Sequence, residues 1–230
     1  MASMEPTPDL RFYLAIHARL RSDIARYVRA VERTTEDERS RRVALRRWAG
    51  GFVGELLEHH HAEDEHLFPD LRARVPASAA VLDRLDGDHR HMDELLVRWA
   101  DAAQGLTDRG RPFDVARREL LEVSVLLRDH LDGHLAVEDA DVLPLFVRHY
   151  SAAEFDAVQG AAVRDARKQG MTFYVPWIVE AVDGDVRERL LAEAPRPMRI
   201  LWWATRGRHA RLVETAFAGV PAEASAASLH

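Results

Sequence analysis

Four long segments of the chain repeat apolar residues at intervals of three and four, which is the period of an amphipathic α-helix. These segments cover about 9–32, 37–69, 81–103 and 120–144, and short polar connections separate them. Short connections between long helices favour antiparallel neighbours. The pattern therefore predicts an all-α fold built on an antiparallel up-down-up-down four-helix bundle.

Helical patterns continue after the bundle, in shorter pieces. Ser151 and Glu154 form a capping box at the start of this region. The predicted helices cover about 151–169, 172–182, 185–194 and 198–217. We assign residues 9–150 to the bundle, 151–217 to a helical extension packed on it, and 218–230 to a disordered tail.

Polar side chains interrupt the apolar stripe of every bundle helix. The first and third helices each carry one His, and the second and fourth each carry a His-x-x-x-Glu pair. The residues are His17, His59, Glu63, His89, His134 and Glu138. Positions i and i+4 lie on one face of a helix, so each pair converges on one point. The repeated order indicates a duplicated unit that holds something between its copies.

A single His in an apolar stripe is more often a hydrogen-bonded core residue than a metal ligand. Here, however, all four helices place polar groups in their stripes. Burying four imidazoles and two carboxylates without partners would cost roughly several kcal/mol apiece. A bound metal removes that cost, so the pattern favours a metal site on the bundle axis.

Composition narrows the chemistry of this site. The chain has 230 residues, is 47% hydrophobic and contains no cysteine, so thiolate sites and disulfides are excluded. The 32 basic and 38 acidic residues give 32 − 38 = −6, and we expect no nucleic-acid partner. No signal-type segment and no run of membrane-span length is present, so we expect a cytoplasmic protein without a transmembrane segment.

The number and type of the candidate ligands indicate which metal is bound. Four His and two Glu exceed the four ligands of tetrahedral zinc, and mixed imidazole and carboxylate suits iron or manganese. We expect two oxo- or hydroxo-bridged irons, with manganese or zinc as substitutes. Glu63 and Glu138 would bridge the pair. An open position on each ion would then accept O2, peroxide or nitric oxide.

The repeated order of a His followed by His-x-x-x-Glu resembles the hemerythrin family's HHE cation-binding domain, over roughly 9–150. The resemblance implies a non-haem di-iron site in a four-helix bundle, with the six residues above as ligands. Respiratory hemerythrins have a further His one turn after the His of the third helix, where this chain has Asp93. That departure argues against a reversible O2 carrier. Asp93 could be a further carboxylate ligand, a partner of a ligand or a solvated residue, and we favour the partner role.

Some neighbouring residues are weaker candidates. His60 lies beside His59 and could replace or join it as a ligand. His130, one turn before His134, is expected to donate to a ligand or relay protons. Asp64 is predicted to be a surface charge. On a straight helix Asp139 lies about 140° from His134, so it fits ligation less well than Glu138 does.

Two functions are consistent with these residues. The first is binding or redox handling of O2, peroxide or nitric oxide, including a peroxide- or nitric-oxide-decomposing oxidoreductase. The alternative is an iron or oxygen sensor that signals through the extension. The basic segment 196–211 contains Trp202 and Trp203, which we expect to pack on the bundle rather than to bind a membrane surface.

Overall fold

The computed structural model describes residues 6–165, 170–182 and 184–222. Within those ranges there is no strand, which confirms the all-α prediction. The α-helices are α1 (Arg11–Arg33), α2 (Arg39–Ala62), α3 (Phe68–Arg74), α4 (Ala79–Gly105), α5 (Phe113–Val137), α6 (Leu143–His149), α7 (Ala152–Asp165), α8 (Met171–Ala181), α9 (Gly184–Glu193) and α10 (Arg196–Ala216). A 3-10 turn, Pro76–Ser78, precedes α4.

Helices α1, α2, α4 and α5 form the predicted bundle. Helix α5 packs against both α1 and α4, and α4 packs against α2. Large side chains join α1 to α2, since the ring of Tyr27 stacks on Trp48 with 5.4 Å between centroids. No helix of the described ranges is long and apolar enough to cross a membrane.

The helical patterns of the second and fourth bundle segments run to Pro69 and Pro144, where a proline is expected to end or bend a helix, but the helical path continues past both. A π-helical turn, Glu63–Leu67, joins α2 to α3, and a second one, Glu138–Val142, joins α5 to α6. Pro69 and Pro144 follow directly, in the first turn of the next α-helix. Proline lacks an N–H and its ring collides with the carbonyl four residues earlier, so the wider turn lets the helix continue without that collision.

Two apolar clusters fill the bundle on either side of a polar layer. One contains the aromatic side chains Trp48, Phe52 and Trp99. The other contains Phe68 and Phe146. Full burial of one such side chain stabilises the fold by roughly 1.5–3 kcal/mol. The His and Glu side chains of the stripes lie between these clusters, because α1, α4 and α5 each have residues packed in both clusters.

The extension packs on the bundle through buried aromatic rings. Phe155 of α7 is fully buried against Phe146, with ring centroids 5.1 Å apart. The indole Nε1 of Trp177 in α8 donates to Asp23 Oδ2 at 2.8 Å. Helix α10 packs on α2 and α8. The Ser151–Glu154 capping box is present, with Ser151 N donating to Glu154 Oε2 at 2.8 Å.

The segment 196–211 differs from its prediction. Trp203 does not pack on the bundle, since 69% of its surface is exposed. Trp202 is only half-buried and lies under the guanidinium of Arg206. Helix α10 docks instead through a different face, which buries Thr205, His209 and Ala216. The pair therefore does not anchor this helix.

The segment predicted to be a tail from Ala218 is held against the bundle in its first residues. Val220 is buried, and its carbonyl accepts from Arg26 Nε at 2.8 Å. Arg33 and Arg41 donate to the carbonyls of Gly219 and Ala218. The remainder of the predicted tail, 223–230, and the predicted end of the first extension helix at Gln169 lie outside the described residues.

Candidate metal centre

The structure brings the six candidate ligands together in the middle of the bundle. His17 comes from α1, His59 from α2, His89 from α4 and His134 from α5, while each glutamate begins a π-helical turn. The two glutamates and the imidazoles of His17, His89 and His134 are buried, and His59 is nearly so. Their positions follow from the helical period, which turns every stripe residue towards the axis.

One group of potential ligand atoms joins α1 and α2 to both glutamates. It comprises His17, His59, Glu63 and Glu138, each with one ligand atom within 4.8 Å of the others. His17 Nε2 lies 3.5 Å from Glu138 Oε2, and His59 Nε2 lies 3.4 Å from Glu63 Oε1. Two imidazoles and two carboxylates thus face one point.

A second group joins α4 and α5 to the same two glutamates. Glu63, His89, His134 and Glu138 again have ligand atoms within 4.8 Å of one another. His89 Nε2 lies 3.5 Å from Glu63 Oε2, and His134 Nε2 lies 3.3 Å from Glu138 Oε1. Glu63 and Glu138 therefore belong to both groups. Each glutamate places one carboxylate oxygen near a histidine of the first group and the other near a histidine of the second.

His60 lies with the two histidines of the second group rather than with His59. It forms a three-imidazole cluster with His89 and His134. Its ring stacks on that of His89, with centroids 4.2 Å apart. The rings of His59 and His60 are 6.2 Å apart. Of the two roles considered from sequence, the geometry favours His60 joining the set over His60 replacing His59.

Several polar atoms at this point have no hydrogen-bond partner. They include Nε2 of His17, His59 and His60, Oε2 of Glu63, and both carboxylate oxygens of Glu138. A buried polar group without a partner costs roughly 1–3 kcal/mol, and more when it is charged. Nitrogen and oxygen atoms left unpaired around one point fit a bound cation, since a cation would accept all of these lone pairs.

Carboxylates behind the histidines fix the orientation of the rings. His17 Nδ1 lies 2.7 Å from Asp139 Oδ1, and His89 Nδ1 lies 2.7 Å from Asp64 Oδ1. A carboxylate only accepts, so each Nδ1 carries a proton and each Nε2 is directed at the centre. Asp64 is exposed, as predicted for a surface charge, but it also orients a histidine of the other half of the bundle.

Asp93 has the same relation to His60. Its Oδ1 lies 3.1 Å from His60 Nδ1, and the side chain is half exposed. Asp93 is thus the partner of a candidate ligand, which is the role that we favoured for it. His134 has a more distant acid, since its Nδ1 lies 4.0 Å from Asp88 Oδ2.

Burial and charge set the protonation of the cluster. Burial lowers the pKa of His59 to about 3, and it also lowers the pKa of His60, so both imidazoles are neutral at neutral pH. Burial alone would raise the pKa of Glu63, but the nearby His59 and His89 bring it below the usual value. Although burial opposes it, the Asp64 and Glu63 carboxylates raise the pKa of His89 to about 10, so a cation there competes with a proton.

Tyr13 is a residue of the site that the sequence pattern missed. Its hydroxyl donates a short hydrogen bond to Glu63 Oε1. Burial, together with the charges of Glu63 and Glu138, raises its pKa well above the usual value, so the hydroxyl keeps its proton. Tyr13 is one turn before His17 on α1, and that spacing is the signal that could have found it.

His130 lies outside the ligand groups. Its Nε2 lies 3.3 Å from the carbonyl oxygen of Asp88, and its ring is 4.8 Å from that of His91. Among the residues that the structure describes, no hydrogen bond or ion pair joins His130 to any of the candidate ligands. The predicted role of His130 as a donor to a ligand therefore has no support in the geometry.

The fold and the paired ligand groups define a helical-bundle metal-binding protein. The chain belongs to the family described as the hemerythrin HHE cation binding domain, whose match covers residues 9–146. It is also similar to the zinc finger protein BRUTUS of Arabidopsis thaliana, with 22% identity over 134 residues. That region is 57% of this chain and 10% of the relative, so the chain spans about a tenth of that protein's length. No solved structure matches the chain significantly.

Proposed function

We propose that this hemerythrin-type protein holds two iron ions between the two ligand groups and uses them to bind or redox-handle O2, peroxide or nitric oxide. The observation that supports this proposal is the overlap of the groups. Each offers its own imidazoles, and both contain Glu63 and Glu138. A single ion would leave one group's histidines unused, whereas two ions sharing the carboxylates would engage all of them.

The donor set supports iron over zinc. His17 and His59 would serve one ion, and His60, His89 and His134 the other, with the two glutamates common to both. This set exceeds what two tetrahedral zinc ions need, because the shared carboxylates add to five imidazoles. When bound, the irons would supply Lewis-acid and one-electron redox chemistry to a small ligand.

The chain's own residues hold the centre in a defined protonation state. Asp139 and Asp64 hold the Nδ1 protons of His17 and His89 in place, so each Nε2 points at the centre. Tyr13 keeps an O–H directed at Glu63. The two apolar clusters on either side exclude water, which strengthens every charge interaction in the layer between them.

Metal analysis tests the composition of the centre. Protein expressed with adequate iron should contain about two irons per chain. The variant His91→Ala is a matched control, because His91 is an exposed histidine of α4 next to the site. It should retain all the iron. Protein that contains zinc alone would contradict the proposal. A single iron that stays bound when the ligands of either group are substituted would also contradict it.

A turnover assay separates redox handling from sensing. The iron-loaded protein should consume peroxide or nitric oxide faster than the same concentration of free iron. Turnover no faster than free iron, together with a change in the extension on ligand binding, would favour the sensor. The extension is placed to respond, because α8 lies against α1 and α2 of the bundle.

A further inference from the structure

A cavity lies between the bundle and the extension, next to the metal-ligand layer. Its volume is about 130 Å³. The bundle wall comes from α1 and α2, including Ile16 and His59, and the outer wall comes from α7 and α8, including Ala162 and Ile178. Tyr13 and His59 line the cavity as well as belonging to the site.

The cavity is apolar except for a few groups, of which Glu55 is the most unusual. Glu55 is 6% exposed and lines the cavity. Within the described residues no hydrogen bond or ion pair reaches its carboxyl group. Burial, reinforced by the charge of Glu58, raises the pKa of Glu55 to about 9, so the group is a neutral carboxylic acid with one O–H to donate.

The size of the cavity limits what can occupy it. An apolar cavity of about 150 Å³ admits benzene, so this one suits a molecule of about six heavy atoms. The carboxyl group of Glu55 has no protein partner among the described residues, so a ligand in the cavity can form a hydrogen bond with it. The mainly apolar walls favour a neutral molecule over an ion, and a molecule with one polar group would match both the apolar lining and Glu55.

We propose that this cavity is a binding site for a small neutral organic molecule that has an apolar body and a single hydroxyl or carbonyl group. The apolar body lies between α1 and α8, and the polar group pairs with Glu55. Glu55 is one helical turn before His59 on α2, so the bound molecule lies at the edge of the metal centre. The inference stands on the cavity and does not depend on which metal is bound.

Calorimetric titration of the full chain as purified, with phenol and with benzene as probes, tests this site. Both should bind the wild type. The substitution Glu55→Met removes the polar group at similar length, so phenol should bind about tenfold more weakly while benzene changes by less than about twofold. A phenol affinity unchanged in Glu55→Met would overturn the assigned role of Glu55.

A second pair of variants tests the location. Ala162→Phe places a ring into the cavity and should abolish binding of both probes. Ala157→Phe makes the same change at an exposed position of the same helix and should leave binding intact. If circular dichroism shows that Ala162→Phe is unfolded, Ile178→Phe replaces it. Equal binding by the cavity-filling and control variants, or no binding by the wild type, would overturn the proposal.

Iron content measured on the same samples separates this inference from the proposed function. Two irons without probe binding would remove the cavity site and leave the di-iron proposal intact. Probe binding in protein that never takes up iron would support the cavity site and contradict the di-iron proposal. The two conclusions therefore fail independently.

Discussion

The two halves of the bundle, α1 with α2 and α4 with α5, carry the same motif but do not contribute equally to the centre. The first half supplies three imidazoles, because His60 follows His59 on α2. The second half supplies two, and Leu135 follows His134. His60 nevertheless lies with the histidines of the second half. A duplicated motif thus yields two ligand groups whose members cross between the halves.

The supporting carboxylates cross in the same way. Asp64 of the first half pairs with His89 of the second, and Asp139 of the second pairs with His17 of the first. The two supports differ in strength, because Asp139 also accepts from Arg21 at 2.7 Å. Asp64 is the more exposed of the two, with 40% of its side chain accessible against 29% for Asp139.

The largest effect is expected from loss of a shared glutamate. Glu138→Ala and Glu63→Ala should each lower iron from about two to fewer than one per chain, because each removes a ligand from both groups. Iron content measured on purified protein is the readout. Asp141→Ala, an exposed acid in the same π-helical turn as Glu138, serves as control. Full retention of iron by either glutamate variant would contradict the sharing.

Removing His60 should have the next largest effect and shows the asymmetry directly. In His60→Leu a leucine follows His59, as Leu135 follows His134 in the second half. The iron content should then fall from about two to about one per chain. His61→Leu is the control, since His61 contacts Asp165 away from the site. Two irons in His60→Leu would mean that this histidine is not a ligand.

The supporting carboxylates should have a smaller effect, and an unequal one. Asp139→Asn and Asp64→Asn keep the shape of the side chain but weaken its hydrogen bond with the Nδ1–H of the histidine. Loss of such a supporting carboxylate typically lowers metal affinity by about 10- to 100-fold. Asp139→Asn should cost more, because it also breaks the contact with Arg21. Competition with a chelator measures the affinity, with Asp101→Asn on the exposed side of α4 as control. Equal losses for both would contradict the crossed, unequal support.

The smallest effect is expected from Tyr13, which has Leu85 as its counterpart in the other half. Tyr13→Phe removes a hydrogen bond to a buried carboxylate and should lower the free energy of unfolding by about 1.5 kcal/mol while leaving iron content unchanged. Urea unfolding gives this value. Tyr27→Phe is a matched control, because the Tyr27 hydroxyl makes only a 3.4 Å contact with a carbonyl. Equal losses would show that Tyr13 has no special role.

Helical periodicity predicted the bundle and gathered the six main candidates, because residues such as His17 and Glu138 occupy stripe positions whose direction the period determines. The roles of Asp64 and Asp139 could not be predicted in the same way. Each contacts a histidine on another helix, and the π-helical turn redirects the side chains beyond the glutamate. Pro69 and Pro144 indicated where the helices depart from regular α-helical geometry. They did not indicate that the helical path continues beyond the prolines.

The position of His60 in the site could also be determined only from the three-dimensional structure. Its neighbour His59 and its distance to Glu63 suggested a choice between two roles, and only the positions of α4 and α5 show which imidazoles it joins. The cavity was outside the reach of sequence patterns altogether, because its walls are contributed by helices of the bundle and of the extension.

The anchoring of residues 218–222 has a consequence for the order in which the chain can fold. Arg26 and Arg33 of α1 donate to carbonyls 194 and 186 residues later in the chain. The ring of Phe217 covers Trp48, with centroids 5.1 Å apart. Contacts this distant in sequence form late. During synthesis, therefore, this end of the bundle is completed only after nearly the whole described chain has left the ribosome, and the part of Trp48 that Phe217 contacts stays uncovered until then.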